Sequence, residues 1–218
     1  MSFGETAIDE RFATARFPSL SMVCGLLANA SGMCRTRPTE IQELQEMMEI
    51  ASRVDRPGQR LRDYQTAQLS SRDEVWTSSG RVSGRDGGSS GIFTVQIEKE
   101  YWADAAITVA VALPDERIDM MVCALREPAR ALFLGRVSCP PSRPILAGVV
   151  EANNVLEALK RWPADDGRPA TMLAQWPDHL NRENHSRSAL VTDRKDWRNR
   201  MHVGSRRVRE DDIEVMAA

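Results

Sequence analysis

The sequence predicts an α+β domain that is interrupted by one long insertion. Segments with helical and with strand periodicity alternate along the 218 residues, and 42% of the residues are hydrophobic, as in a globular protein. A stretch rich in glycine and serine, residues 78–91, separates two strand-like runs. We therefore expect one domain over residues 1–218, with an insertion at about residues 66–100 and a basic C-terminal segment at about residues 179–210.

Two helices are predicted near the start of the chain. Ser19 is a good N-cap for an apolar stripe that runs from Leu20 to Ala30, and Gly32 is placed to end this helix in the left-handed conformation. In the second helix Thr39 and Gln42 form a capping box. Its apolar face continues through Met48 and Ala51, so we expect it to end at residues 56–58, which read Arg-Pro-Gly.

The glycine- and serine-rich stretch predicts a mobile arm between two strands. Residues 78–91 contain five Gly and five Ser, a composition that cannot bury a core. Residues 61–69 before it and 92–97 after it have strand-like patterns. The three segments together predict a long hairpin that orders on a partner.

The rest of the chain is predicted as short elements. We expect a strand at 107–113, a short helix at 120–125, a loop at 132–144 and a strand at 145–150. A helix at 153–161, a loop-rich stretch at 162–177 and short strands at 189–192 and 206–208 complete this prediction.

Charge is distributed unevenly along the chain. The net charge is −2, but residues 179–210 contain nine Lys and Arg against four acids, which makes this segment +5 and the remainder −7. A basic face for an anionic partner and an ordinary solvated surface both fit this pattern.

Other features argue against several protein classes. Cys24, Cys34, Cys123 and Cys139 lie far apart without a paired spacing, so we expect free thiols and no metal site. We expect no cofactor. No apolar run is long enough to span a bilayer and no signal peptide is evident, so a cytoplasmic protein is expected.

Several residues have the chemistry that single-stranded RNA requires. The helix start at Ser19, with Ser21, predicts either a phosphate site or plain N-capping. Arg62 and Tyr64 share one face of a strand and suit a phosphate and a base, although an Arg–Asp surface pair with a packed Tyr is the alternative. Further candidates lie at the base and tip of the arm: Lys99, Tyr101, Arg81 and Arg85. For the two arginines at the tip the alternative is a disordered loop with incidental charges.

Five motifs in a fixed order resemble one family. They are Arg16-Phe17-Pro18-Ser19 leading into Gly25-Leu26-Leu27, then Leu61-Arg62-Asp63-Tyr64-Gln65-Thr66, Tyr101-Trp102-Ala103-Asp104-Ala105-Ala106, Leu134-Gly135-Arg136-Val137-Ser138-Cys139-Pro140, and Trp197-Arg198 with His202-Val203-Gly204 and Arg206-Arg207. Together they resemble the CasD subunits of type I-E Cascade, members of the RAMP superfamily, over nearly the whole chain.

The resemblance implies a fold and a function. The fold would be a modified ferredoxin-like (RRM-like) domain with a protruding thumb hairpin. The function would be a non-catalytic subunit that caps the 5′ handle of the crRNA and contacts the backbone subunit (CasC) and the large subunit (CasA), reaching target DNA only through the complex. Further RNA-binding residues would then be Arg16, Arg136, Ser138, Arg194, Arg198, His202, Arg206 and Arg207, with Lys195 and Arg200 adding counter-charge.

Two departures from the family pattern are visible. The family opens with an apolar strand before the segment that matches Phe3-Gly4, and that first strand is expected to be missing here. The family also usually has Pro-Thr-Arg-Ser-Gly at the helix start, where this chain has Leu20 in place of the arginine. We therefore expect an RNA contact that is weakened or has moved to Arg16.

Two other functions remain open. A metal-independent endoribonuclease would need a general base and acid, for which His179, His185, His202, Lys195 and Tyr64 are candidates, although they form no evident catalytic constellation. A generic RRM-type RNA-binding protein outside CRISPR would behave as a stable monomer.

Overall fold

The computed structural model describes residues 1–5, 10–69, 74–76, 82–84, 93–164, 170–180 and 186–216, with side chains for all of these except residues 68–69, 74–76, 82–84, 93–95 and 170. Within these ranges the helices occur as two consecutive pairs, each followed by a run of strands. The helices are Leu20–Ala30 (α1), Pro38–Met47 (α2), Asp115–Arg126 (α3) and Val155–Arg161 (α4). The strands are Arg11–Phe12 (β1), Glu49–Arg56 (β2), Gln59–Leu69 (β3), Glu74–Trp76 (β4), Val82–Gly84 (β5), Phe93–Ala103 (β6), Ala106–Ala112 (β7), Ala170–Pro177 (β8), Arg187–Val191 (β9), Lys195–Asp196 (β10), Met201–His202 (β11) and Arg206–Val215 (β12).

A five-stranded antiparallel sheet forms the centre of the fold. Its strand order is β7-β2-β8-β12-β9. Side chains alternate between its two faces: in β2, Ile50 packs against one core cluster and the adjacent Ala51 against the other. The sheet therefore separates two hydrophobic cores.

Helices cover both faces of this sheet. On one face α1, α2 and α3 bury Leu20, Leu44 and Met121 together with Ile50. On the other face α4 buries Val155, Leu156 and Leu159 against residues of β8 and β12. These layers establish the α+β class that the sequence predicts.

A buried arginine fixes α4 to the sheet. The side chain of Arg53 in β2 is fully buried and pairs with Asp55 at 2.9 Å. Its guanidinium also donates to the carbonyl oxygens of Leu159, Trp162 and Pro163 at the C-terminal end of α4. The positive charge thus lies where helix carbonyls carry negative charge and lack helical partners.

A separate three-stranded sheet, in the order β1-β6-β3, forms a ribbon beside the central sheet. Strands β3 and β6 pair antiparallel from Gln59 opposite Ala103 to Leu69 opposite Phe93. The predicted strands on either side of the glycine- and serine-rich stretch are confirmed, and both are longer than expected. Between them β4 and β5 pair with each other.

The structure confirms several local predictions. Ser19 is the N-cap of α1 and its hydroxyl accepts from the Met22 amide, while Gly32 follows the helix with a φ of 70°. Five further elements lie where they were expected: strand β7, helices α3 and α4, the short strand β9 and the start of β12. Elements α3 and β12 are longer than predicted.

The predicted course of the second helix is wrong at both ends. It begins at Pro38 with Arg37 as N-cap, and no side chain caps it, so the expected capping box is absent. It ends at Met47, and the following residues form β2, where Ile50, Ala51 and Ser52 are all buried. A strand buried on both faces reads as a continuous apolar run, which periodicity alone does not distinguish from a helix face.

Two further predictions are also wrong. Residues 145–150 are not a strand: Val149 and Val150 are exposed, and Gly148 lies against the Trp162 ring. Residues 170–177 are not a loop but β8, whose Ala174 and Trp176 point into one core while the intervening Gln175 bonds to Glu210. Pairing with β12, over 30 residues away, determines this strand.

No helix in the described part of the chain is long and apolar enough to cross a membrane. Within the same residues no group of three or more His, Cys, Asp or Glu is arranged to hold a metal ion.

Candidate nucleic-acid interface

The N-terminal segment lies along the base of the ribbon. Met1 and Trp102 exchange two backbone hydrogen bonds, at 2.8 and 2.9 Å. The Trp102 indole also donates to the carbonyl of Ala15 at 2.8 Å. Farther out, β1 runs parallel to β6, with Arg11 opposite Glu98. The base of the ribbon is therefore a fixed platform on which exposed side chains have defined positions.

One face of the ribbon carries a row of alternating charges. Arg11 pairs with Glu98 at 3.3 Å and Arg60 with Glu100 at 3.4 Å, while Arg62 lies 3.8 Å from both carboxylates. All three arginine side chains are more than half exposed. Three arginines against two glutamates leave an excess positive charge on this face.

Tyr64 lies on the same face as Arg62, as strand alternation predicts. Its side chain is 54% exposed, so it is not packed as the alternative interpretation required. The partner of Arg62 is also not the neighbouring Asp63 but the glutamates of β6. An exposed aromatic ring beside a guanidinium is the arrangement that a base and a phosphate of single-stranded RNA require.

Lys99 and Tyr101 lie on the opposite face of the ribbon. The register places Lys99 opposite Asp63 and Tyr101 opposite Leu61, whereas Arg62 and Tyr64 face Glu100 and Glu98. The Lys99 ammonium donates to the side-chain amide oxygen of Gln65 at 2.8 Å. A strand of RNA that lies flat on one face therefore contacts only one of the two predicted pairs.

Arg136 is engaged within the protein. Its guanidinium lies 4.9 Å from the centre of the Tyr101 ring and donates to the carbonyls of Phe12 and Glu100. The turn from Arg136 to Cys139 leaves Ser138 exposed. Arg136 thus holds this loop on the ribbon. Because its guanidinium already has three partners within the protein, an RNA phosphate would have to compete with them for the predicted contact.

The start of α1 is capped by a residue from the other end of the chain. The Asp193 carboxylate accepts from the Leu20 amide at 3.0 Å, and the Asp193 carbonyl accepts from the Ser21 amide at 3.1 Å. Ser19 satisfies the Met22 amide. The expectation that these amides are free for a phosphate is therefore wrong, and N-capping, the alternative interpretation, is confirmed.

Arg206 belongs to the same cluster. It makes a bidentate contact with Asp193 at 2.8–3.0 Å, and the two side chains are only 14% and 10% exposed. Leu20, the residue in place of a family arginine, is buried in the core. Arg206 is therefore buried in an ion pair, which argues against the RNA contact that was predicted for it.

The basic segment forms a small hairpin of β10 and β11 that is anchored on the helices. The buried amide of Gln45 donates to the Lys195 carbonyl at 2.9 Å and accepts from the Lys195 amide and the Trp197 indole at 3.1 Å. The Trp197 ring lies so close to Gly25 that a Cβ there would be 3.3 Å away. Two helices therefore fix the orientation of this hairpin.

Several exposed cations of this region have no partner among the described residues. The guanidinium groups of Arg194, Arg200 and Arg207 make no hydrogen bond or ion pair within that part of the chain. Arg198 and His202 are exposed as well. Two other cations of the +5 segment are paired, Arg206 with Asp193 and Arg209 with Asp178.

Arg16 connects the ribbon and the hairpin. It is exposed and lies between Ala15, bound to Trp102, and Leu20, bound to Asp193. Five residue steps span at most about 18 Å. The points at which the segment is attached to the ribbon base and to Asp193 are therefore within this distance of each other, with Arg16 between them.

Sequence reasoning missed the residues that organise this surface. Asp193 bonds to Leu20, 173 positions away, and Gln45 bonds to Lys195, 150 positions away. No local sequence pattern identifies either residue. Arg60 could have been found, because it shares the alternation of Arg62 and Tyr64. Arg81 and Arg85 lie outside the described residues.

The candidate residues for nuclease chemistry lie in different places. His179 is 3.2 Å from Glu49 at the start of β2, and Tyr64 lies on the ribbon. His202 lies opposite Lys195, whose ammonium is directed at the Trp197 ring. His185 lies outside the described residues.

Comparison with known proteins defines the class. A family described as CRISPR-associated protein (Cas_Cas5) matches residues 1–209. The chain belongs to this CRISPR-associated family.

Particular relatives support the assignment. The chain is 30% identical, over 161 residues, to the CRISPR system Cascade subunit CasD of Escherichia coli (strain K12). The aligned region covers 72% of this chain and 70% of that protein. It is similar to a chain of a CRISPR RNA-guided surveillance complex, with a TM-score of 0.72, 25% identity and coverage of 98% and 86%. A crystal structure of a Cas protein matches with a TM-score of 0.67, 25% identity and coverage of 100% and 93%.

Proposed function

We propose that this protein is a non-catalytic subunit of a type I-E Cascade surveillance complex that binds the 5′ handle of the crRNA. Family membership and the similarity to a Cascade subunit support the place in such a complex. The observation that carries the RNA-binding role is the group of exposed, unpaired arginines on and after an anchored hairpin, which residues 15–20 join to the ribbon that carries Arg62 and Tyr64.

The electrostatics fit a polyanion. Exposed guanidiniums without carboxylate partners contribute binding energy by releasing counterions from phosphates. On the ribbon, Glu98 and Glu100 hold the three arginines in a row, so that phosphates can approach guanidiniums that are already positioned. Arg16, Arg194, Arg198, His202 and Arg207 then extend the contact from the ribbon to the hairpin.

A place in a surveillance complex implies protein neighbours as well. We propose that the β3–β6 ribbon serves as the thumb of a modified ferredoxin-like domain and that CasC and CasA are the neighbouring subunits. The long antiparallel pairing of β3 and β6 supports the thumb assignment, and the similarity to a Cascade subunit supports a place among other subunits. Target DNA would be reached through the assembled complex.

Recovery of the bound RNA tests the function directly. A tagged chain purified from its host should carry short repeat-derived RNA together with the other subunits. A variant with Arg62→Glu, Arg194→Glu and Arg207→Glu should recover less RNA, whereas Arg35→Glu, an exposed arginine on the turn after α1, should not. If the unaltered chain recovers no repeat-derived RNA, the proposal fails.

A cleavage assay tests the non-catalytic part of the proposal. Purified protein incubated with a repeat RNA in EDTA should leave it intact. Specific cleavage that is lost in His202→Ala would show an endoribonuclease instead, with His202 and Lys195 as the reacting pair.

A further inference from the structure

We propose that the outward face of the β10–β11 hairpin is a platform for about two nucleotides of single-stranded RNA, with bases against Met201 and Val203 and phosphates at Arg194 and Arg200. The proposal rests on the RNA-binding role above and specifies how one part of the surface recognises its ligand.

The register of the hairpin places the apolar and basic groups on one face. Lys195 pairs with His202 and Asp196 with Met201, and the Val203 amide donates to the Arg194 carbonyl. Arg194, Asp196, Met201 and Val203 therefore alternate onto the same side. Met201 is 61% and Val203 49% exposed, and Arg194 is exposed too.

The hairpin is fixed to the protein through the Lys195 backbone and the Trp197 ring. Gln45 and the Trp197 ring hold it on α2 and α1. Asp196 accepts from the backbone amides of Arg198 and Asn199 and from the Asn199 side chain, which closes the turn. Arg200 completes this turn with a φ of 59°, a conformation that few non-glycine residues adopt. The exposed face is thus rigid before any ligand arrives, which lowers the entropic cost of binding.

Charge favours RNA over a protein as the occupant. Asp193 is paired with Arg206, and the turn holds the Asp196 carboxylate by hydrogen bonds, so neither carboxylate forms an ion pair with Arg194 or Arg200. The apolar area is only two side chains wide, far below the roughly 800 Å² that a stable protein interface buries on each partner. Two apolar side chains flanked by arginines suit unstacked bases and their phosphates.

The experiment separates base contacts from phosphate contacts by salt dependence. Binding of the full chain to fluorescein-labelled single-stranded oligouridylate is measured by fluorescence anisotropy over a range of KCl concentrations. Arg194→Ala and Arg200→Ala should each reduce the slope of log K against log [KCl] by about one. Met201→Ala with Val203→Ala should weaken binding by about five- to tenfold and leave the slope unchanged.

Matched controls are Val137→Ala, an apolar residue that is 79% exposed, and Arg35→Ala, and both should bind as the unaltered chain does. If only the arginine variants lose affinity, the hairpin contacts phosphates alone and the base platform is overturned while the RNA-binding role stands. If the Met201–Val203 variant binds RNA normally but fails to co-purify other subunits, the face is a protein contact and the proposal is likewise overturned. If the unaltered chain binds no single-stranded RNA and recovers none from its host, the RNA-binding role itself fails.

Discussion

The Asp193 carboxylate lies 3.0 Å from the Leu20 amide and closes the N-terminal end of α1 from 173 positions away in the sequence. The same carboxylate neutralises Arg206. One acidic side chain thus joins the first helix, the last strand and the base of the basic hairpin.

Replacement of Asp193 should destabilise the whole domain. Asp193→Ala removes a charged cap and leaves Arg206 buried without a partner, which we expect to lower the free energy of unfolding by about 2–4 kcal/mol. Urea denaturation checks this, with Asp119→Ala on exposed α3 as the control. An Asp193→Ala, Arg206→Met double variant should recover part of the loss, and no recovery would contradict the ion-pair account.

Arg53 should tolerate no substitution, including lysine. Its guanidinium serves Asp55 and three carbonyls at once, and a lysine cannot reproduce this planar set of donors. We expect Arg53→Lys to lower the unfolding free energy by about 3 kcal/mol. Arg56→Lys in the same strand is the control, because that side chain is half exposed. Equal stability of the two variants would contradict the role of the buried charge.

Gly135 should be replaceable by no other residue. It has a φ of 87°, and a Cβ there would lie 1.7 Å from the Ser2 carbonyl oxygen. Gly135→Ala should therefore push the N-terminal segment off the ribbon, with faster hydrogen exchange at the Ser2 and Trp102 amides. Gly4→Ala is a matched control, because no atom lies within 4 Å of its Cβ position. Unchanged exchange in Gly135→Ala would disprove the contact.

The cysteines should differ in reactivity. Burial raises the pKa of Cys24 to about 12, whereas the Thr36 hydroxyl lowers the pKa of the partly exposed Cys34, helped by the Thr36 amide and by nearby Arg37 and Arg130. A lower pKa means more thiolate at neutral pH, so Cys34 should react with iodoacetamide first and Cys24 last. Thr36→Val should shift the rate profile of Cys34 towards higher pH, as peptide mass spectrometry over a pH series can show. Equal rates for Cys24 and Cys34 in the folded protein would refute the difference.

Local elements could be predicted from the sequence, and long-range ones could not. The N-cap at Ser19 and the alternation of Arg62 and Tyr64 depend on neighbours within four positions, and both are confirmed. The change from helix to strand after Met47 depends on β7 and β8, which pair with β2 from 50 or more positions away.

In the candidate site, too, local properties could be predicted and long-range contacts could not. Sequence reasoning identified the exposed cations Arg194, Arg198 and Arg207, because charge is a property of composition. It did not identify Arg206 as buried, because that depends on where the fold brings Asp193.

The short connection between Ala15 and Leu20 constrains how this chain can vary. Its two ends are fixed to Trp102 and Asp193, so a change of residue type within it alters one side chain. An insertion or deletion would instead slide the ribbon relative to the basic hairpin. Chain length, more than residue identity, should therefore be the conserved property of this segment among proteins that share both attachments.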